Sequence, residues 1–141
     1  MNLSEMFQSD VITVEPEATI EHVVHKMKQD NVGAVVVTDD GIVVGIVTDR
    51  DIAFKLALNE AKPGTPINEI MTKDVITIWD DQGVFNATQY LLGHKIRRLP
   101  IIDRSNHLVG MVTSDDLLVL LARELFNVTK AIEPALALKS F

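Results

Sequence analysis

The heptapeptide GIVTDRD at residues 45–51 decides the fold of this chain, because a variant of it, GMVTSDD, returns at residues 110–116. The pentapeptide DVITV at residues 10–14 likewise returns as DVITI at residues 74–78. The two pairs of matches occur in the same order and at nearly the same offset, which indicates an internal repeat. The offsets differ by one residue, and we place the inserted residue around 104–106.

The sequence pattern of each repeat unit predicts the element order β-α-β-β-α. Between Ile20 and Met27, apolar residues recur at i, i+3, i+4 and i+7, the spacing of one helix face, and Thr19 is placed to cap that helix. Two β-branched runs around an Asp-Asp-Gly turn at residues 39–41 predict a hairpin. In the first unit we expect strands at 11–14, 34–37 and 42–47 and a final helix at 51–58. In the second we expect strands at 75–78, 99–102 and 108–112, a first helix at about 84–92 and a final helix from 116 to about 126.

These elements predict an α+β fold in which the two repeats pack sheet to sheet as one pseudo-two-fold module. We assign residues 1–60 to the first repeat, 61–126 to the second and 127–141 to a C-terminal tail. The linker at 59–66 holds two prolines and a glycine, which end a helix and turn the chain. The tail is apolar, and we expect it to form another helix that packs on this chain or on a partner.

The composition excludes or disfavours several classes of function. The chain has 141 residues, no cysteine and a net charge of −7. The absence of cysteine excludes disulfides and thiol chemistry. The negative charge argues against nucleic-acid binding, which needs a basic face. Residues 1–62 hold 11 acidic and 5 basic residues, whereas residues 63–141 hold 9 and 8, so we expect an anion to bind in the second half. With no basic leader and no long apolar run, we expect a soluble cytoplasmic protein without a membrane anchor.

The two heptapeptides, the opening DVITVEP at 10–16 and the stretch HKIRRLPIID at 94–103 resemble the CBS domain, named after cystathionine β-synthase. The resemblance covers about residues 3–125. It implies a pair of repeats whose clefts bind adenosine compounds, pairing of such modules into a homodimer, and regulation of a separate protein partner. It implies no catalysis and no required cofactor.

The residue types fit such a cleft. A carboxylate at the start of a helix, Asp116 or Asp51, can accept both ribose hydroxyls. A threonine three residues earlier, Thr113 or Thr48, lies beside free backbone N–H groups where a phosphate binds. By the family's geometry the repeats cross over, and the main site uses Ile12, Val32, Gly33, Arg97, Arg98, Thr113 and Asp116. The second site uses Thr48, Asp51, Ile76 and Ile96.

The two predicted sites differ in charge. Arginines 97 and 98 stand where the first repeat has Gly33 and Ala34, so the main site is the one we expect to take a phosphorylated ligand. AMP is favoured, with ATP, ADP, NAD and S-adenosylmethionine left open. Adjacent strand residues point to opposite faces, so we expect one of the two arginines in the cleft. The second site is expected to be empty, weaker or occupied by a less charged compound, with Arg50 and Lys73 as alternative cations.

Three other interpretations stay open at this stage. The Thr and Asp pairs also fit plain helix caps, which would make the chain a structural or dimerisation module with empty clefts. The second is an enzyme acting on an adenosine compound, but the sequence has no phosphate loop and no catalytic motif. His22 and His25 lie one helical turn apart without the further ligands of a metal site. The opening WDDQG at residues 79–83 departs from the family and leaves the following helix without an evident cap.

Overall fold

The computed structural model describes residues 2–7 and 11–139. Asp10 of the opening motif and the last two residues of the predicted tail lie outside the described residues. The elements are α1 (Leu3–Met6), β1 (Thr13–Val14), α2 (Ile20–Asp30), β2 (Ala34–Asp39), β3 (Ile42–Thr48), α3 (Asp49–Ala57), a 3₁₀ turn (Ile67–Glu69), β4 (Ile78–Trp79), α4 (Val84–His94), β5 (Arg98–Ile102), β6 (Leu108–Thr113) and α5 (Ser114–Lys139).

The strands form two three-stranded sheets with the orders β1-β2-β3 and β4-β5-β6, which confirms the predicted α+β repeat fold. In each sheet the first strand runs parallel to the second, and the second runs antiparallel to the third. Ala34 is registered with Thr48, and Arg98 with Thr113. The offset between the repeats is therefore 64 in β5 and 65 in β6, so the inserted residue lies in the loop between them, as predicted.

The first strand of each repeat is shorter than predicted. β4 starts at Ile78 instead of Val75, and β1 at Thr13 instead of Val11. Upstream of β4, Thr72 exchanges two backbone hydrogen bonds with Ile46 of the first sheet (3.1 and 2.9 Å). Residues 75–77 belong to no strand, and the second sheet begins at Ile78.

The helix starts follow the capping residues. Thr19 accepts a hydrogen bond from the His22 backbone N–H (3.2 Å), which confirms the predicted cap of α2. α3 starts at Asp49 and α5 at Ser114, two residues before the predicted starts, because the preceding threonines are the N-caps. α4 begins after Gly83 without a side-chain cap. α5 continues to Lys139, so the described part of the tail extends this helix and does not form a separate one.

The opening WDDQG is held by the inserted loop. The Arg104 guanidinium lies 4.5 Å from the centroid of the Trp79 ring, and its Nε donates to Asp81 Oδ2 (3.1 Å). This hydrogen bond, more than the attraction between the charges, lowers the pKa of the Asp81 carboxyl. The loop with the extra residue therefore stabilises the segment in which the second repeat departs from the first.

Each repeat has its own apolar core, but the two cores exchange their opening segments. Leu3 is fully buried in the core of the second repeat, and Ile67 is fully buried in the core of the first. Leu3 N donates to Gln82 O (3.0 Å), and Ile67 N donates to Ala18 O (2.7 Å). These residues are related by the 64-residue offset, so the exchange is reciprocal and fixes the repeats against each other. In the described part of the chain, no helix is both long and apolar enough to cross a membrane.

Candidate ligand-binding site

The end of β6 and the start of α5 carry a reciprocal pair of side chains. Asp116 Oδ2 accepts a hydrogen bond from Thr113 N (3.0 Å), and Asp116 N donates to Thr113 Oγ1 (3.0 Å). Asp116 is exposed and Thr113 is half-buried. A carboxylate offers about four acceptor positions, so these bonds leave Asp116 Oδ1 free to accept from a ligand.

This pair forms one wall of a cleft of about 200 Å³ between the two repeats. The opposite wall comes from the first repeat and is apolar. The lining residues are Val11, Ile12, Val32 and Ala34 of the first repeat and Met111, Thr113 and Asp116 of the second. The cleft thus combines apolar walls with a hydroxyl and a carboxylate on one side. Four of the seven residues predicted for the main site, Ile12, Val32, Thr113 and Asp116, line it together.

Gly33 and the two arginines are not among the residues that line this cleft. The Gly33 carbonyl accepts from Asp49 N (2.9 Å), and the Arg97 carbonyl accepts from Ser114 N (2.9 Å). These two contacts are equivalent in the two repeats, and they place both residues at the start of a helix. Arg97 has an exposed side chain, whereas Arg98 is half-buried.

Strand register and repeat symmetry relate Arg98 to different predicted sites. Its register with Thr113 puts it on the same face of the sheet as that threonine, because directly opposite residues share a face. Its counterpart in the first repeat is Ala34, which lines the main cleft. By the repeat symmetry, Arg98 is thus the counterpart of a main-cleft residue, and the equivalent position belongs to the second predicted site.

The second predicted site has the same capping geometry. Thr48 N donates to Asp51 Oδ2 (3.1 Å), and Asp51 N donates to Thr48 Oγ1 (3.1 Å). Ile76 and Ile96 are partly buried against the core of the second repeat, as Ile12 and Val32 are against the core of the first. Both Thr and Asp pairs therefore cap helices, so capping does not distinguish the two predicted sites. Only the residues around each pair can distinguish them as ligand sites.

Sequence reasoning did not assign Val11, Ala34 and Met111 to the main cleft. Met111 precedes Thr113 by two residues in β6 and must share its face. Strand alternation alone would have identified it. Val11 and Ala34 have no comparable signal, because their positions depend on how the two sheets pack. Among the residues that the structure describes, no group of three or more His, Asp and Glu side chains is placed to hold a metal ion.

The fold and the cleft define a tandem pair of small α+β repeats with a cleft between them. The family model of the CBS domain matches residues 3–58 and 67–123. The chain therefore belongs to the CBS domain family and carries two copies of the domain, which confirms the resemblance drawn from the sequence. CBS domain pairs are typically regulatory modules and not catalytic domains.

Similar proteins include small CBS proteins and parts of larger enzymes. The chain is 37% identical over 118 residues to the CBS domain-containing protein YhcV of Bacillus subtilis, and the match covers 84% of each protein. It is 36% identical over 109 residues to inosine-5′-monophosphate dehydrogenase of Thermoplasma acidophilum, covering 77% of this chain but 21% of the enzyme. Because the match takes in only about a fifth of the dehydrogenase, that enzyme's reaction is not carried over.

Among solved structures, the chain is similar to the CBS domain pair of protein MJ0100 in complex with 5′-methylthioadenosine and S-adenosyl-L-methionine. The TM-score is 0.77 at 29% identity, and the match covers 88% of this chain and 98% of that one. Both of the ligands in that complex are adenosine compounds.

Proposed function

We propose that this CBS domain pair is a cytoplasmic regulatory module that binds an adenosine compound in the cleft at Thr113 and Asp116 and acts on a separate protein partner. The observation that carries the proposal is the meeting, in one cleft, of a carboxylate and a hydroxyl at a helix start with an apolar wall from the other repeat. The proposed module catalyses no reaction.

The chemistry of the cleft matches the parts of a nucleoside. Asp116 Oδ1 is free to accept from the ribose hydroxyls. Thr113 Oγ1 and the first N–H groups of α5 suit a phosphate, because a helix N-terminus attracts anions. Ile12, Val32 and Ala34 offer an apolar surface to the uncharged adenine. The cleft is smaller than the roughly 300–1,000 Å³ of typical small-molecule sites, so part of the ligand would stay in solvent.

AMP is the ligand that we favour among the adenosine compounds. Arg98 is not among the residues that line the cleft, but it shares the face of Thr113, and we propose it as the cation that meets a phosphate extending from the cleft. The complex of MJ0100 with two adenosine compounds supports the adenosine class, although neither of those ligands carries a phosphate. We therefore keep S-adenosylmethionine, ATP, ADP and NAD as alternatives for this chain.

Thermal unfolding of the purified protein with each of these compounds at millimolar concentration tests the proposal. A ligand that binds only the folded state stabilises it by about 2.7 kcal/mol at a hundredfold excess over its Kd, which raises the melting temperature. The Asp116→Ala variant must lose this shift. Asp51→Ala is the matched control, because it removes the equivalent carboxylate from an equivalent cap, and it must keep the shift. Absence of a shift with every compound would contradict the proposal.

A second candidate function is that of a dimerisation module with empty clefts. It is favoured by large apolar side chains that the helices expose in a single copy, including Phe85 (71% exposed) and Leu92 (81% exposed) on α4 and Phe54 (54% exposed) on α3. Such faces pair in many homodimers. Concentration-dependent dimerisation together with no response to any adenosine compound would favour this function over the first.

A further inference from the structure

A second cavity adjoins the proposed ligand cleft, between the end of α1 and the first turns of α5. Its volume is about 350 Å³, and Asp116 lines both this cavity and the cleft. The residues that line the cavity are Met6, Phe7, Asp116, Val119, Leu120 and Arg123. We call this cavity the α1–α5 compartment. The proposed binding of an adenosine compound uses none of these residues except Asp116.

The compartment has a carboxylate and a guanidinium on the same side of α5. The residues of this side follow the spacing i, i+3, i+4 and i+7, and they are Asp116, Val119, Leu120 and Arg123. The Cα atoms of Asp116 and Arg123 are about 10 Å apart along the axis at 1.5 Å per residue. Both side chains lean toward the N-terminus of the helix, and the arginine is the longer one, so the two charged groups are closer together than the Cα atoms.

Both charged groups are available to a ligand. In the part of the chain that the structure describes, Arg123 forms no ion pair, and its side chain is exposed. The carboxylate of Asp116 accepts from Thr113 N through Oδ2, which leaves Oδ1 for a further donor. A molecule that binds both groups therefore displaces no ion pair of the described residues.

The opposite charges favour a zwitterion in this compartment. Arg123 attracts an anion that Asp116 repels, and Asp116 attracts a cation that Arg123 repels. The other four lining residues are apolar, and the volume is near the lower end of the roughly 300–1,000 Å³ of small-molecule sites. We propose that the α1–α5 compartment binds an α-amino acid group with an apolar side chain. Its ammonium donates to Asp116, and its carboxylate accepts from Arg123.

The first repeat does not reproduce this arrangement. With the 65-residue offset of the repeated motif, the position of Arg123 corresponds to Leu58, and that of Leu120 to Lys55. The Lys55 ammonium lies 3.0 Å from Glu60 Oε2, so this cation already has a partner. The proposed amino-acid site therefore belongs to the second repeat, and we expect one such site per chain.

Two kinds of molecule carry this chemistry to the compartment. One is a free amino acid such as leucine or methionine. The other is an adenosine compound with an amino-acid end, such as S-adenosylmethionine, which would place its adenosine in the cleft and its amino-acid end in the compartment. The second source rests on the proposed function, whereas the first does not.

Calorimetric titration with L-leucine and L-methionine tests the free source. The variant Arg123→Gln removes the cation from an exposed position, so the fold stays intact. Lys130→Gln is the matched control, because it removes a positive charge from the same helix outside the compartment. We expect saturable binding that Arg123→Gln weakens by at least about tenfold and Lys130→Gln leaves unchanged. Leucinamide and 4-methylpentanoate, which each lack one of the two charges, should bind more weakly than leucine.

Titration with S-adenosylmethionine and with adenosine tests the joined source. If the amino-acid end lies in the compartment, Arg123→Gln weakens S-adenosylmethionine by at least about tenfold and leaves adenosine unchanged. The proposal is overturned if Arg123→Gln changes the affinity of neither the free amino acids nor S-adenosylmethionine. Adenosine binding that depends on Asp116 would, in that case, still support the proposed function. Amino-acid binding without adenosine binding would support the compartment alone.

Discussion

Thr113 and Asp116 exchange two hydrogen bonds of 3.0 Å where β6 ends and α5 begins. Thr48 and Asp51 do the same in the first repeat, at 3.1 Å. The four residues of the repeated motif therefore cap helices in both copies. The Asp116 copy lines a cleft in which the first repeat supplies apolar side chains opposite the capping pair.

The two threonines should separate the capping role from the ligand role. Thr113→Ala and Thr48→Ala each remove an N-cap hydroxyl, so each should lower the free energy of unfolding by about 1 kcal/mol. Only Thr113→Ala should also weaken ligand binding, because Thr113 lines the cleft. Urea denaturation gives the stabilities, and the ligand-induced shift in melting temperature gives the binding. Equal loss of binding in both variants would contradict the assignment of a single main site.

The exchanged opening segments should contribute strongly to stability. Leu3→Ala and Ile67→Ala each leave a cavity in the core of the other repeat, and each should lower the free energy of unfolding by about 2–5 kcal/mol. Equilibrium denaturation in urea measures both values. As a control, Leu58→Ala changes a side chain that is 63% exposed and should have little effect. If Leu3→Ala behaves like this control, the N-terminal segment does not hold the second repeat.

The glycines at the centre of the third strands should respond unequally to alanine. A Cβ at Gly110 would meet the backbone carbonyl of Phe7, whereas a Cβ at Gly45 would meet the side chain of Met71. A flexible Met side chain can move aside more easily than backbone can. Gly110→Ala should therefore destabilise the fold more than Gly45→Ala, by about 1–3 kcal/mol for the overpacked site. The reverse order in a denaturation series would show that the backbone at Phe7 yields readily.

Arg98 should affect a phosphorylated ligand selectively. Arg98→Ala removes the half-buried cation that shares a face with Thr113, so AMP should bind at least about tenfold more weakly, while adenosine should be little affected. Arg97→Ala is the matched control, since its side chain is exposed. Calorimetric titration with AMP and with adenosine gives, for each ligand, the ratio of the Kd of the variant to the Kd of the wild type. If Arg98→Ala weakens both ligands equally, the arginine does not contact the phosphate.

The sequence was sufficient to predict the repeats, their element order and the capping threonines. These features are local or periodic, and residues such as Thr19 and Thr48 carry a direct signal for them. The pairing of Thr72 with Ile46 was not predictable in this way, because it joins residues of different repeats that are distant in the sequence. The burial of Leu3 and Ile67, each in the core of the other repeat, was also not predictable, because it depends on contacts between distant parts of the chain.

The cleft was predicted in part. Ile12, Val32, Thr113 and Asp116 came from the family pattern and meet in the structure. The shared face of Arg98 and Thr113 could not be predicted from the two adjacent arginines alone, because it depends on strand register. The length of α5 was underestimated because the tail lies outside the repeat, where the first copy gives no guide.

The central claim is that the Asp116 cleft binds an adenosine compound. Isothermal titration calorimetry with AMP, followed by S-adenosylmethionine, tests it most directly in the wild type, Asp116→Ala and Asp51→Ala. We predict saturable binding of one molecule per chain, a loss of at least about tenfold in affinity in Asp116→Ala because charge-assisted hydrogen bonds are removed, and unchanged affinity in Asp51→Ala. No binding of either compound or of the remaining adenosine compounds, or the same affinity in Asp116→Ala as in the wild type, would contradict the account.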